Sequence, residues 1–343
     1  MSRVRPGTSR AKILQGDCMK TKILTMLRQT EGYVSGQELC NQLGVSRTAI
    51  WKTMNQLKEA GYEIEASQNK GYHLISAPDV MDAAEIKSLL HTDWAGKETL
   101  YFETIDSTNT KAKELAEQDY PNGTLVVSDQ QLAGRGRRGR SWESPAGCGI
   151  FMTLLLKPDI NSNNASMLTL VSALAIAKAI TNVTGAAAQI KWPNDIVING
   201  KKVCGILTEM SAQFDYINHI VIGIGINVHN EEFPEELKET ASSLLLQCHR
   251  HFHRADIIVS FLQYFEQYYE EFLKTEDLSG LLKEYNAILV NMGKIVRVLD
   301  PKEPFEGKAM GITKKGELIV DTWESRKLVS SGEVSVRGIY GYV

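Results

Sequence analysis

Several common devices are missing from these 343 residues. Cysteine is scarce: five thiols, at 18, 40, 148, 204 and 248, are scattered, odd in number and never arranged as Cys-x-x-Cys. That argues against a disulfide framework or a zinc ribbon and fits reduced structural thiols in a cytoplasm. An excess of one charge is missing too. With a net charge of −3, any nucleic acid must be held by a local patch and not by the chain as a whole. Long apolar runs are absent: the longest, 167–180, is broken by Thr169, Ser172 and Lys178 and reads as too short and too polar for a bilayer. No apolar core accompanies Arg3, Arg5, Arg10 and Lys12, so the start is not a secretory signal, and Pro6-Gly7 interrupts the amphipathic helix of a transit peptide. Residues 1–18 are expected to form a disordered leader, with Met19 an equally good start.

What is there is concentrated. Residues 134–140 read Gly-Arg-Gly-Arg-Arg-Gly-Arg between two apolar, strand-like runs. Four guanidiniums on a glycine-rich loop make an anion-binding device, each charge-assisted bond being worth roughly 1.5–3 kcal/mol. Gly134, Gly136 and Gly139 satisfy the G-x-G-x-x-G spacing, but Pro145 and Gly147 stand where a dinucleotide-binding helix must run. No Gly-Lys-Ser/Thr closes a Walker loop. An Arg/Gly RNA patch is expected to be repetitive, whereas this is a single loop.

Length predicts two to three domains. Residues 19–76 read as a winged helix-turn-helix. Ile23, Leu24, Met26 and Leu27 give the first helix an apolar face, Ser35 to Glu38 forms a capping box for the second, and Ser46 caps a third with Ile50, Met54 and Leu57 inward. Gln68-Asn69-Lys70-Gly71 marks the wing. Arg47, Thr48, Trp51, Lys52 and Asn55 face outward on the third helix, and together with Lys70 they suit phosphate clamping and base-edge readout. A three-helix interaction module without DNA is the alternative.

A linker near Pro78 and a short helix opened by Asp82 lead into a domain at 80–288 that mixes helices and hairpins. Expected there are a helix at 107–118, strands at 124–128, 149–156, 195–198, 202–210 and 217–228, and helices at 165–184 and 256–273. Asn199-Gly200 forms a two-residue hairpin turn. Residues 289–343 read as short strands turning at Gly307, Lys315-Gly316 and Ser331-Gly332, most economically a small closed β-barrel. The fold class expected is α+β.

Lys191-Trp192-Pro193-Asn194-Asp195 places a lysine, an amide and a carboxylate around a proline-fixed bend. Alone it is an ordinary loop string. Beside the Arg/Gly loop it suits acyl-adenylate formation, which needs cations at an α-phosphate and a carboxylate able to help hold Mg²⁺.

With these strings the chain resembles the bifunctional biotin–protein ligases that double as biotin-operon repressors. Residues 134–140, 191–195, Asp106-Ser107-Thr108-Asn109, 202–207 and 223–228 match that family in order, over essentially residues 20–343. The resemblance implies a class II synthetase-like ligase domain and an SH3-like C-terminal barrel. It implies two steps, from biotin and MgATP to biotinoyl-AMP and then to a lysine of a biotin carboxyl carrier protein domain. It further implies a cytoplasmic protein that, when adenylate-bound, forms a homodimer on operator DNA, with no membrane partner. Carried over residue by residue, Ser107, Thr108, Asn109, Gln131, Arg135, Gly136, Arg137 and Lys191 are expected at biotin. Arg137, Arg138, Trp142, Asn194 and Asn227 are expected at the adenylate. Lys191, Arg137 and Asp195 are the catalytic candidates; Asp195 would accept the partner lysine's proton and lie near the metal. Trp142 has an alternative as a core aromatic and Asn227 as a strand-end turn residue. Leu132 stands where the family has a second glutamine. Rival readings are a related ligase such as a lipoate ligase, a DNA-binding sensor without ligase activity, and a ligase with a vestigial winged helix.

Overall fold

The computed structural model describes residues 8–213, 216–300, 303–331, 335–338 and 342–343, with side chains from Cys18 onward apart from that of Ser335. It divides into two compact units, 1–90 and 91–343.

The first unit opens with α1 (Thr8–Gln29), which begins just past Pro6-Gly7 and so runs through most of the expected leader; residues 1–7 lie outside the described residues. Next come α2 (Gly36–Leu43) and α3 (Arg47–Glu59). Ser35 caps α2 by accepting from the Glu38 N–H at 3.0 Å, and Gly44 ends it in the left-handed region. Ser46 caps α3 in the same way. Ile23, Leu24 and Leu27 pack against Ile50, Met54 and Leu57, as their spacing required. The wing is the hairpin of β1 (Glu63–Ser67) and β2 (Gly71–Ser76). Helix α4 (Ala83–Leu89), capped by Asp82, belongs to this unit and not to the ligase domain. Its Glu85 is buried, accepting from Arg28 at 2.6 Å and from the Tyr62 hydroxyl at 2.7 Å.

The second unit contains β3 (Thr99–Ile105), α5 (Thr108–Glu117), β4 (Thr124–Gln131), β5 (Gly149–Leu156), α6 (Leu168–Thr184), β6 (Gln189–Lys191), β7 (Asp195–Ile198), β8 (Lys201–Gln213), β9 (Tyr216–Asn227), α7 (Leu244–Cys248), α8 (Arg254–Leu273) and α9 (Leu282–Ala287). Seven strands form one sheet in the order β3-β4-β5-β9-β8-β7-β6, parallel only between β3 and β4. A 3₁₀ turn extends α6 back to Ser162, so Ser162–Thr184 is long and apolar enough to cross a membrane by length and composition alone. This corrects the sequence-based expectation. Most of that helix is buried within the unit, and α6 packs against α8.

The C-terminal strands β10 (Ile295–Leu299), β11 (Phe305–Ile312), β12 (Leu318–Asp321), β13 (Arg326–Val329) and β14 (Ser335–Gly338) form an antiparallel sheet in the order β13-β12-β11-β10-β14. The expected closure into a barrel is not made among the described residues. Gly316 turns as expected, at φ +79°. Gly307 does not turn: it sits inside β11, where a Cβ would meet Val320 Cγ1 at 2.6 Å. Gly332 lies outside the described residues. Trp192 is fully buried and ties this sheet to the core, its indole N–H donating to the Gly316 carbonyl at 3.0 Å.

Candidate active site and nucleic-acid interface

Strand register sets out the site. Lys191 pairs with Asp195, Asp195 with Gly205, and Gly205 with Gly225, giving one row across β6, β7, β8 and β9. In the neighbouring row Leu207 pairs with Gly223 and Gly223 with Thr153. The glycines make a floor without side chains. A Cβ on Gly225 would lie 2.6 Å from Trp142 Nε1, one on Gly205 would lie 3.0 Å from Trp142 Cζ3, and one on Gly223 would strike the Asn109 amide. The cleft above this floor is lined by Ser107, Thr108 and Asn109 from the start of α5, by Gln131, by Arg135, Gly136, Arg137 and Trp142 from the Arg/Gly segment, and by Asn194, Lys202, Leu207 and Ile224.

Most of these polar groups are already committed. Asn109 donates to Glu209 at 2.8 Å and to the Leu207 carbonyl at 3.3 Å, and its Oδ1 lies 2.7 Å from the Thr153 hydroxyl. Gln131 Oε1 accepts from the Thr108 backbone and hydroxyl at 2.9 and 3.1 Å, while its amide donates to Ser144 at 3.0 Å. Gln131 therefore caps α5. Ser107, at the N-cap position, makes no capping bond with its side chain and is buried against the cleft, so its hydroxyl is open to a ligand. Among the described residues, Trp142 Nε1 is a buried donor without an acceptor.

The Arg/Gly segment is a tight excursion rather than a helix. Gly136 N–H bonds the Arg140 carbonyl at 2.7 Å, and Arg138 and Gly139 both take positive φ. Arg137 donates to Asn194 Oδ1 at 2.9 Å and to the Ser331 carbonyl at 2.6 Å; burial pulls its pKa below the ordinary value. Arg138 and Arg140 are exposed and off the cleft wall. Leu132, a side chain without a polar atom, is exposed.

The lysine facing the cleft is Lys202, not Lys191. Its Nζ lies 2.6 Å from Asp195 Oδ1 and 5.2 Å from the centre of the Trp142 ring. Lys191 is 5% exposed and is not part of the cleft wall. Burial lowers its pKa to about 8, against the pull of Asp195. Burial would raise the Asp195 pKa, but Lys202, Lys191 and the Tyr342 hydroxyl outweigh it and hold the carboxyl below its usual value. A carboxylate so stabilised is a poor proton acceptor. Its Oδ1 is paired with Lys202 and its Oδ2 accepts from Tyr342, and no group of three potential metal ligands occurs among the described residues. The surroundings of Asp195 therefore do not fit a metal ligand. Asn227 is also off the cleft wall: its amide donates to the Ser242 carbonyl at 3.1 Å and secures a strand end.

Sequence reasoning gave no role to Lys202, Thr153, Glu209 or Arg254. Thr153 announced itself as the one hydroxyl in the apolar stretch 149–156, whereas Lys202 is the second of two lysines past the Asn199-Gly200 turn and nothing local separates it from Lys201. Arg254 bonds Asp129 at 2.8 Å and the Gly149 carbonyl at 3.1 Å, while Asp129 accepts from Gly147, anchoring the exit of the Arg/Gly segment.

In the first unit Arg47, Thr48, Trp51 and Lys52 are exposed along α3, Trp51 at 60%, and Asn55 is half-buried. Arg47 donates to Gln37 at 2.8 Å, and Lys70 lies over the Tyr33 ring at the wing.

A winged helix in one unit, and in the other an arginine-walled cleft over a glycine floor, define a ligase-type α+β protein with a DNA-binding module. The chain matches the biotin/lipoate A/B protein ligase family over residues 101–227, an HTH domain over 20–73 and the biotin protein ligase C-terminal domain over 292–337. It is 41% identical to the bifunctional ligase/repressor BirA of Bacillus spizizenii over 89% of this chain and 94% of that one. It is 26% identical to the Escherichia coli protein of the same name, over 94% and 99%. The biotin protein ligase of Aquifex aeolicus in complex with biotin and ATP superposes with a TM-score of 0.63 at 31% identity, over 71% of this chain and 99% of that one. The chain belongs to the bifunctional biotin–protein ligase/repressor family.

Proposed function

We propose that this protein is an ATP-dependent biotin–protein ligase that also represses transcription when it holds biotinoyl-AMP. One observation carries the ligase half: a single cleft gathers a polar helix start, a guanidinium loop, a lysine and an indole over three glycines. In the first step the biotin carboxylate attacks the α-phosphorus of ATP and pyrophosphate leaves. In the second, the amine of a carrier-domain lysine attacks the mixed anhydride and AMP leaves. The protein contributes positioning and fixed charge. Ser107, with Thr108 and Asn109 held in place behind it, receives the ureido ring; Trp142 covers the glycine floor beside the acyl chain. Arg135, Gly136 and Arg137 grip the carboxylate and phosphate, and Asn194 orients Arg137. Arg138, exposed on the same loop, reaches the nucleotide only if the loop shifts. Lys202 supplies the cation at the reacting centre, and Asp195 anchors it. Mg²⁺ enters with the nucleotide phosphates rather than in a protein cage.

The winged helix supports the repressor half: α3 and the wing meet an inverted-repeat operator, and a two-fold homodimer presents two such modules to two half-sites. The protein acts in the cytoplasm, with the carrier domain and the operator as its partners. Biotin-dependent exchange of labelled pyrophosphate into ATP tests the ligase, since a pure sensor exchanges nothing. A mobility shift on the biotin-gene promoter with and without biotin plus ATP tests the repressor. No shift in either condition leaves a ligase with a vestigial winged helix.

A further inference from the structure

A buried ammonium is costly unless it is paired. Lys191 is buried, yet among the described residues no carboxylate or carbonyl closes on its Nζ within ion-pair or hydrogen-bond range. Its close partner is the ring of Tyr342, whose centre lies 3.8 Å away, a short cation–π contact. The hydroxyl of the same tyrosine donates to Asp195 Oδ2, and the other oxygen of Asp195 lies 2.6 Å from Lys202. Two lysines thus flank one carboxylate, and one aromatic side chain touches both the carboxylate and the lysine that does not have it. The tail holding Tyr342 is itself seated. Val343 packs on the Asn199-Gly200 turn, where a Cβ on Gly200 would lie 3.1 Å from Val343 Cγ2, and its carbonyl backs onto Gly338. That turn joins β7, which carries Asp195, to β8, which carries Lys202.

We propose that Tyr342 is a positioning residue of the ligase reaction that decides which lysine Asp195 pairs with. Its ring face attracts the Lys191 ammonium, and its hydroxyl pins Oδ2, so Oδ1 stays on Lys202 and Lys202 stays in the cleft. Without Tyr342 the carboxylate swings to Lys191, and Lys202 loses its anchor. The pKa of the phenol is raised far above its ordinary value by burial and by Asp195, so it remains a donor throughout the working range of pH. The charged groups around Lys191 are Asp195 on β7, Lys202 on β8, Arg337 on β14 and Arg137 of the Arg/Gly segment; only Asp195 is an anion. The assignment rests on the ligase reading for its kinetic consequence but not for its electrostatic one.

The test uses the full chain with Tyr342→Phe, which keeps the ring and removes the hydroxyl, in wild-type and Lys191→Met backgrounds, with thermal unfolding to establish that each folds. Pyrophosphate exchange is expected to slow about tenfold in kcat for Tyr342→Phe, about one hydrogen bond's worth, with a smaller change in KM for biotin. Adding Lys191→Met removes the competing cation and is expected to restore the rate to within about threefold of wild type. A structural lesion is not repaired by a second core substitution, so a double variant no faster than Tyr342→Phe overturns the proposal. So does a Tyr342→Phe rate within twofold of wild type. Independently of activity, ¹³Cε-lysine NMR is expected to show Lys191 titrating near 8 in the wild type. In Tyr342→Phe it is expected to titrate about one pH unit or more higher, because Asp195 has closed on it. An unchanged Lys191 titration sinks the switch. An upward move in a protein that exchanges no pyrophosphate supports it while defeating the ligase reading.

Discussion

Replacing Lys202 with alanine puts the reading of the cleft at greatest risk. Lys202 Nζ sits 2.6 Å from Asp195 Oδ1 with its side chain 25% exposed, so the cation is fixed and only partly screened. Two unit charges about 4 Å apart at an effective dielectric near 20 interact by about 4 kcal/mol. Loss of one preorganised charge from a transition state of this type costs about 3–4 kcal/mol, or 10²–10³ in rate. Lys202→Ala is therefore expected to slow biotin-dependent pyrophosphate exchange by that factor. Biotin affinity, measured by calorimetry without ATP, should change far less, because the charge acts mainly on the phosphorus centre. Lys191→Met, which alters a buried group off the cleft wall and leaves Asp195 on Lys202, should slow the same step less than about threefold. The comparison is decisive in order as well as size. If Lys191→Met is the slower variant, the reacting carboxylate sits at Lys191, as the five-residue string first suggested, and the placement of Lys202 at the reacting centre is wrong.

The sheet floor offers a second test: Gly223→Ala drives a methyl group into the Asn109 amide and Gly225→Ala drives one into the Trp142 indole, and each should weaken biotin binding by about tenfold or more, as seen by calorimetry, because overpacking costs about 1–3 kcal/mol. Unchanged affinity would show that the floor is not the biotin seat. Arg137→Gly removes bonds to Asn194 and Ser331 that tie the Arg/Gly segment down, so biotinoyl-AMP should escape and label nearby lysines; an intermediate retained as long as in wild type would exclude the segment as the clasp. Arg47→Ala and Lys52→Ala should weaken operator binding while pyrophosphate exchange persists, since both side chains lie exposed on α3 of the first unit and neither lines the cleft. Stability should depend on pH through Lys191. Its folded pKa of about 8 is below the ordinary 10.5, so the folded state carries a penalty of about 3 kcal/mol below pH 8, relieved as pH rises toward 10.5. Urea unfolding should show wild type gaining on Lys191→Met between pH 8 and 10, and parallel curves would mean that Lys191 is not buried as a charge.

What the sequence disclosed, and what it withheld, divides along one physical line. Signals that act along the chain were legible: the serine caps at Ser35 and Ser46, the 3.6-residue spacing of Ile50, Met54 and Leu57, and the hairpin turn at Asn199-Gly200 with both residues at positive φ. The Arg/Gly segment and the helix start at Ser107 were legible for the same reason, since backbone freedom and local charge need no partner to be noticed. Strand β3 escaped because it is an edge strand with a mixed pattern, and β6 because three residues carry no period. Gly307 misled because a glycine forced by close approach of β12 looks identical, in one dimension, to a glycine in a turn. The choice between Lys191 and Lys202 was hidden more deeply. Both flank Asp195 in sequence, and only lateral register with the Tyr342 contact separates a lysine on the cleft from one behind it. Tyr342 is 147 residues from Asp195 along the chain, and no local pattern relates them. The residues that line the cleft were thus mostly readable as types in a pattern, whereas those that hold them, Thr153 under Asn109, Glu209 beside it and Tyr342 on Asp195, are brought together only by the fold. A substitution that looks neutral by local pattern is for that reason most dangerous here at the second kind of position, where a hydroxyl or a ring decides which of two charged neighbours a carboxylate keeps.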